Sequence, residues 1–238
     1  MVQDFLSNVE LYYHPSIKAE EKAEITVNEA KHIIQVMRHK PGDIVYITNG
    51  KGNIFKCKII SLTKNSVSVF PEKNLIYNNA FKNITFCLPI LKNFDRLEFA
   101  LEKCVELGIT NFIFYQSKRT LKKSPKVDRW EKVAISAMKQ SLRSFIPKLQ
   151  YLENVDQIVA HQGSIFLFDQ NAEQSVQKTI TELDKSREYY FLFGPEGGFD
   201  EGELELFKKS QLLRLTRNRL RSETAVIYFA ALISAATV

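Results

Sequence analysis

"FLFGPEGGFDEGELELF", residues 191–207, runs from an apolar segment through a Gly-Pro-Glu-Gly-Gly turn directly into an amphipathic one. The apolar part reads as a buried strand, and the part after it as a helix that Asp200 and Glu203 can open with a capping box. Adjacent glycines between two such elements mean that the backbone bends sharply or that something lies close against it. The turn is not GxGxxG and lacks the Lys-Ser/Thr of a phosphate-binding loop, and Glu196 would repel a phosphate. A nucleoside triphosphate is therefore a poor fit, and a merely structural turn is the plain alternative.

Outward from this stretch the pattern repeats. The strands "ITFCLPIL" (84–91), "ITNFIFYQS", "SIFLFDQ", "YYFLFGP" and "LLRLT" are separated or followed by helices. The helix after the first strand carries Phe94, Leu97, Leu101, Cys104 and Val105 on one stripe and stops at Gly108. Strands that are apolar throughout and alternate with helices predict a parallel sheet covered on both faces. Ligands of such sheets sit beyond the carboxyl ends of the strands, where residues 194–198 fall. Nearer the N-terminus, β-branched and aromatic runs broken by Asn49-Gly50 and by Lys64-Asn65-Ser66 predict hairpins in a small antiparallel barrel. Residues 28–43 ahead of them predict a single helix ended by Pro41-Gly42. The Asn- and Lys-rich stretch 71–83 marks a boundary, giving domains 1–75 and 76–238.

Composition narrows the function. The chain is 45% hydrophobic and 25% charged, an ordinary globular mix. Its opening stretch has no basic segment followed by an apolar core, so no signal peptide is expected. The longest apolar run, Ala225 to Val238, is too short to span a bilayer and predicts a buried helix. Cys57, Cys87 and Cys104 are dispersed and odd in number, with no CxxC and no clustered histidines. That argues against a metal site or a disulfide framework and fits a reducing cytoplasm. The net charge of +6 is unevenly spread. Residues 116–148 hold ten Lys/Arg against two acids, and "RLTRNRLR" (214–221) adds four arginines, so the rest of the chain is net negative. Two basic clusters on an acidic background point to a polyanion, most simply nucleic acid.

Five motifs in order give the chain a likeness. Gly194-Pro195-Glu196-Gly197-Gly198, Leu220-Arg221-Ser222-Glu223-Thr224-Ala225, Glu106-Leu107-Gly108, Gln140-Ser141-Leu142-Arg143 with Pro147, and His32 with "VMRHKPGD" resemble the pattern of the RsmE family. These are S-adenosylmethionine-dependent methyltransferases of the SPOUT superfamily that act on small-subunit ribosomal RNA. The likeness covers nearly the whole chain. It departs at Thr216, where a glycine is usual, at Ser222 for threonine, at Lys139 for an acidic residue, and near the start, where an arginine is missing.

The resemblance implies an α/β domain with a trefoil knot and an N-terminal PUA-like β-barrel that grips RNA. It implies that S-adenosylmethionine lies in the knot against Phe168, Phe193, Gly194, Pro195, Gly197, Gly198, Leu213, Leu215, Asn218 and Leu220, with no metal. Glycines 197 and 198 would let the cofactor approach the main chain. The implied reaction methylates N3 of uracil 1498 in 16S RNA. Arg221 is the candidate to stabilise the uracil anion. Glu223 either orients Arg221 or takes the proton, and a plain Arg221–Glu223 ion pair is the structural alternative. Arg38, Lys92, Arg119, Arg143 and Arg219 are the expected RNA contacts, and a homodimer is expected through knot-side helices. The competing functions are a SPOUT methyltransferase acting on another nucleoside and a non-catalytic RNA-binding assembly factor.

Overall fold

The computed structural model describes residues 6–236, so the first residues of the opening stretch and the last two of the apolar C-terminal run lie outside the described residues. The chain forms two compact units. One takes residues up to Asn79 together with Met138–Ile146, and the other takes Ala80–Ala137 and the chain from Pro147 onward.

In the first unit, strands β1 (Leu11–Tyr13), β2 (Ala23–Thr26), β3 (Ile44–Thr48), β4 (Asn53–Leu62) and β5 (Ser66–Ile76) form one five-stranded sheet in the order β1-β3-β4-β5-β2. The two expected hairpins are present, β3–β4 and β4–β5, both antiparallel. The sheet is mixed, however, because β1 pairs with β3 in parallel. Ile25, Ile33, Val45, Ile47, Phe55, Cys57, Ile59, Val67 and Val69 supply its core. The single helix expected over 28–43 is broken up. Helix α1 spans only Val27–Lys31, and His32–Val36 widens into a π-helical turn before Arg38 takes φ +56°. The helical spacing of Ala30, Ile33 and Ile34 is satisfied by so short a segment because the sheet, not helix length, buries them.

The stretch 71–76, read as the start of the domain boundary, is the second half of β5. Past Pro71 none of its residues is buried, so the two-residue alternation that marks a half-buried strand is missing from this stretch. Also unforeseen is the place of Met138–Ile146 in this unit. Gly52 N–H donates to the Ser144 carbonyl at 2.9 Å, Ile146 N–H to the Gly50 carbonyl at 2.9 Å, and Lys139 pairs with Glu29 at 2.6 Å. Gly50 (φ +71°) and Gly52 (φ +95°) are required there, since a Cβ on Gly52 would come within 2.6 Å of the Phe145 ring.

The second unit is built on a six-stranded sheet that is parallel throughout. Its strands are β6 (Ile84–Pro89), β7 (Asn111–Tyr115), β8 (Lys148–Leu152), β9 (Ser164–Phe168), β10 (Tyr189–Leu192) and β11 (Gln211–Leu213), ordered β11-β9-β10-β6-β7-β8. Helices α2 (Phe94–Glu106), α3 (Val127–Gln140), α4 (Val176–Thr181), α5 (Glu201–Leu206) and α6 (Ser222–Ala235) connect and cover it. Strand β8 and helix α4 were not foreseen. Strand alternation divides the core into two faces, as the apolar strands predicted. On one, Phe86 and Phe191 of neighbouring strands pack on Phe229 of α6 with centroids 5.4 and 4.5 Å away. On the other, Cys87, Ile113, Leu167 and Leu192 meet Val155, Ile158 and Phe207. No helix among the described residues is long and apolar enough to cross a membrane.

Candidate functional site

Three adjacent strands, β11, β9 and β10, release their loops at the same end of the sheet, and these loops enclose a cavity of about 630 Å³. Phe168 to Asn171 line it from the loop after β9, Phe193 to Glu196 with Gly198 and Phe199 from the turn after β10, and Leu213, Leu215, Thr216, Asn218 to Ser222 and Ala225 from the segment between β11 and the first turn of α6. Nine of the ten residues expected around a cofactor are on its wall: Phe168, Phe193, Gly194, Pro195, Gly198, Leu213, Leu215, Asn218 and Leu220.

Gly197 is the exception. It is absent from the wall, and a Cβ on it would make only ordinary contact with Arg119, at 3.6 Å. Its role lies in its carbonyl, which accepts a hydrogen bond from Arg119 Nη1 at 3.1 Å. The glycines that matter sterically are its neighbours. Gly198 lines the cavity at φ +69°, where a side chain is strained, and a Cβ there would enter space free of protein atoms within 4 Å. On Gly194 a Cβ would press the Phe199 ring at 3.2 Å.

The turn is held from beneath by a carboxylate that is fully buried. Glu203 accepts hydrogen bonds from Ser117 Oγ (2.8 Å), Lys118 N–H (2.9 Å) and Asp200 N–H (3.0 Å), while Asp200 accepts from Glu203 N–H at 2.7 Å. This is the expected capping box, extended by the loop after β7. The Glu203 N–H, with Lys118 nearby, holds the Asp200 carboxyl below its usual range. Higher on the strand, Tyr115 OH donates to the Phe193 carbonyl at 2.5 Å, and burial raises that phenol well above its ordinary pKa.

The second loop is fastened differently. Thr216 does not take a positive φ; its hydroxyl donates to the Asn218 carbonyl at 2.6 Å, so the usual glycine is not needed here. Ser222 Oγ donates to the Gly194 carbonyl at 2.9 Å and ties the two loops together. Arg214 leaves the basic cluster to bond the Ala172 carbonyl at 3.0 Å. Arg219 and Arg221 line the cavity, are exposed, and make no side-chain hydrogen bond or ion pair among the described residues.

The Arg221–Glu223 pair is not formed. Glu223 is buried, stands outside the cavity wall, and has Arg96 as its partner, with Nε 3.7 Å from Oε1. Arg96 also reaches Glu196 on the wall, Nη1 to Oε1 at 3.3 Å. Sequence reading missed Arg96 because it sits in the first turn of α2, far along the chain from both carboxylates. Of the expected RNA contacts, Arg38 and Arg143 are exposed residues of the first unit, and Lys92, Arg119 and Arg219 are exposed residues of the second. Among the described residues, no group of three or more His, Cys, Asp or Glu could hold a metal ion.

Residues 78–234 match the family described as RNA methyltransferase domain, and residues 25–72 match RNA methyltransferase PUA domain. The chain is 28% identical over 226 residues to ribosomal RNA small subunit methyltransferase E of Bacillus subtilis, covering 88% of each chain. It is 30% identical over 178 residues to the protein of the same name from Mesomycoplasma hyopneumoniae, covering 71% of this chain and 78% of that one. A ribosomal RNA small subunit methyltransferase E from Neisseria gonorrhoeae, solved bound to S-adenosyl methionine, shares the fold with a TM-score of 0.85 at 24% identity, over 96% of this chain and 98% of that one. The chain therefore belongs to the RNA methyltransferase family whose members are named ribosomal RNA small subunit methyltransferase E, and it carries that family's PUA domain ahead of the methyltransferase domain.

Proposed function

We propose that this protein uses S-adenosylmethionine to methylate N3 of uracil 1498 in 16S ribosomal RNA. One observation carries the reading. The cavity beyond β9, β10 and β11 combines a left-handed glycine on its wall, Gly198, apolar walls, carboxylates at Asp169 and Glu196, and an uncommitted arginine, Arg221. Apolar walls suit an adenine ring, and carboxylates suit a cationic ligand while disfavouring a phosphate. S-adenosylmethionine supplies an electrophilic methyl group when bound.

The chain's own residues do the rest. The loops after β9, β10 and β11 bind and orient the cofactor through Phe168, Phe193, Gly194, Pro195, Gly198, Leu213, Leu215, Asn218 and Leu220. Uridine N3 is protonated at neutral pH, so the site must favour the anion. Arg221 donates paired hydrogen bonds to a planar acceptor such as a uracil edge and stabilises the developing charge. Glu223 acts behind the wall as a positioning residue through Arg96 rather than by touching Arg221. The domain up to residue 75 grips RNA together with Arg38, Lys92, Arg119, Arg143 and Arg219, and the domain from residue 76 carries the reaction. The knot expected of this superfamily runs through the loops that enclose the cavity. Two copies pair through α6, whose Ile227, Tyr228 and Leu232 are only half-buried, in a cytoplasmic enzyme.

Mass spectrometry of 16S RNA from cells with and without the gene is the test. Loss of N3-methyluridine at that position is expected, and a lost modification at another base would transfer the reading to that nucleoside. RNA binding should weaken by about 0.7–0.9 log units per log unit of salt for each phosphate contact. Light scattering should give twice the 27.5 kDa of one chain.

A further inference from the structure

We propose that Arg96 is a positioning residue for the methyl-donor site, acting through Glu196. The proposal rests on the reading of the cavity given above. Arg96 lies outside the cavity wall, whereas Glu196 is on it. The guanidinium spends Nη1 on Glu196, at 3.3 Å, and directs Nε at Glu223, at 3.7 Å. It thus braces a carboxylate of the turn after β10 and one at the first turn of α6, two elements joined nowhere near each other in sequence. Each element bears part of the cavity wall.

A purely structural purpose does not account for the pair with Glu196. The two side chains are 39% and 38% exposed, and ion pairs so open to water contribute little to folding. Positioning does account for it. The turn is tied at Gly197 by Arg119 and at Gly194 by Ser222, but Arg96 is the only side chain among the described residues that holds Glu196. Without the guanidinium, Glu196 would be free to leave the rim and would be repelled by Glu223, whose Oε2 is buried with no partner of its own. Lysine cannot replace it well, because a single ammonium lacks the fork that addresses two carboxylates from two nitrogens.

The test is calorimetry with S-adenosylmethionine on the full chain, alongside thermal melting, for Arg96→Ala, Arg96→Lys, Glu196→Ala and the double variant Arg96→Ala/Glu196→Ala. Arg96→Ala should weaken binding about tenfold and Arg96→Lys about threefold, with Tm also lowered in Arg96→Ala because buried Glu223 loses its partner; on the Glu196→Ala background, Arg96→Ala should cost less than about twofold in affinity. Unchanged affinity in Arg96→Ala, or the same tenfold loss once Glu196 is gone, overturns the proposal. So does a lower Tm with wild-type affinity, which would make Arg96 structural. If Arg96→Ala does not fold, the same cycle is run with Arg96→Lys, and a threefold loss that persists without Glu196 is again fatal. A wild-type protein that gives no binding heat overturns the reading of the cavity itself, and this proposal with it.

Discussion

The two loops that face each other across the cavity are built on opposite plans. The turn after β10 is clamped on every side: by Glu203 and the Ser117–Lys118 loop below, by Arg119 on the Gly197 carbonyl, and by Arg96 on Glu196. The segment from Leu213 to Arg221 has a Thr216–Asn218 bond within it and the Ser222–Gly194 tie at its end, and it presents Arg219 and Arg221 with no protein partner among the described residues. A rigid turn fixes where a ligand lies, because its geometry is set before binding and costs nothing to arrange on binding. Uncommitted guanidinium groups are available to a second ligand, whereas a group already paired inside the protein would have to be released first.

If that contrast is real, substitutions in the two loops should fail in different ways. The largest effect belongs to the open loop. Arg221→Ala should slow single-turnover methylation of small-subunit particles at saturating cofactor by about 10²–10³, the cost of losing one preorganised donor. Affinity for S-adenosylmethionine and Tm should stay near wild type, and Arg221→Lys should remain strongly impaired because the planar fork is lost. A wild-type rate in a protein that melts several degrees lower would erase the distinction between the loops.

Under the clamped turn the damage should appear as stability. Glu203→Ala leaves the Ser117 hydroxyl and two backbone N–H groups of a buried site without their acceptor. A loss of about 3 kcal/mol is expected, which lowers Tm by roughly 6–12 °C for a chain of this size. Differential scanning calorimetry reads this directly, and an unchanged Tm would mean that the clamp contributes nothing.

Gly198→Val probes the cradle itself. A β-branched residue forced to φ +69° on the cavity wall stores about 1–3 kcal/mol of strain. Cofactor affinity should fall at least tenfold, whereas Gly197→Ala should have little effect. Equal losses at the two glycines would show that the turn, rather than the space above Gly198, is what the sequence protects. The smallest effect should come from the tie between the loops. Ser222→Ala removes the bond to the Gly194 carbonyl and should cost about 1 kcal/mol, while Ser222→Thr should preserve it. Melting curves of the two variants separate the hydroxyl from the rest of the side chain.

The parallel sheet was legible in the sequence because each of its main strands is apolar on both faces and is bounded by a turn or a helix. The cavity wall was legible for the same local reason: strand ends mark where loops gather, and the glycines flag the turn after β10. The family likeness added the pairing of that turn with the segment ending at Arg221. Local pattern also fixed the capping box of Asp200 and Glu203, which is a spacing of three residues.

What stayed hidden depends on contacts between residues far apart in the chain. Arg96 meets Glu196 and Glu223 only because the sheet order sets the first turn of α2 beside the ends of β10 and α6. Glu223 would pair with Arg221 by proximity in sequence, yet it is buried against Arg96 instead. The helix expected over 28–43 yields to a π-helical turn because its apolar residues are fitted to a sheet surface rather than to a helical stripe. Residues 138–146 join the first unit through backbone bonds to Gly50 and Gly52, which no side-chain pattern announces. Sequence by itself determined the apolar strands of the parallel sheet, its longer helices and the loops that gather at the strand ends, since burial periodicity and turn residues are local properties. Tertiary structure alone decided which charges are paired and which are left for a ligand, since an ion pair is settled by distance in space.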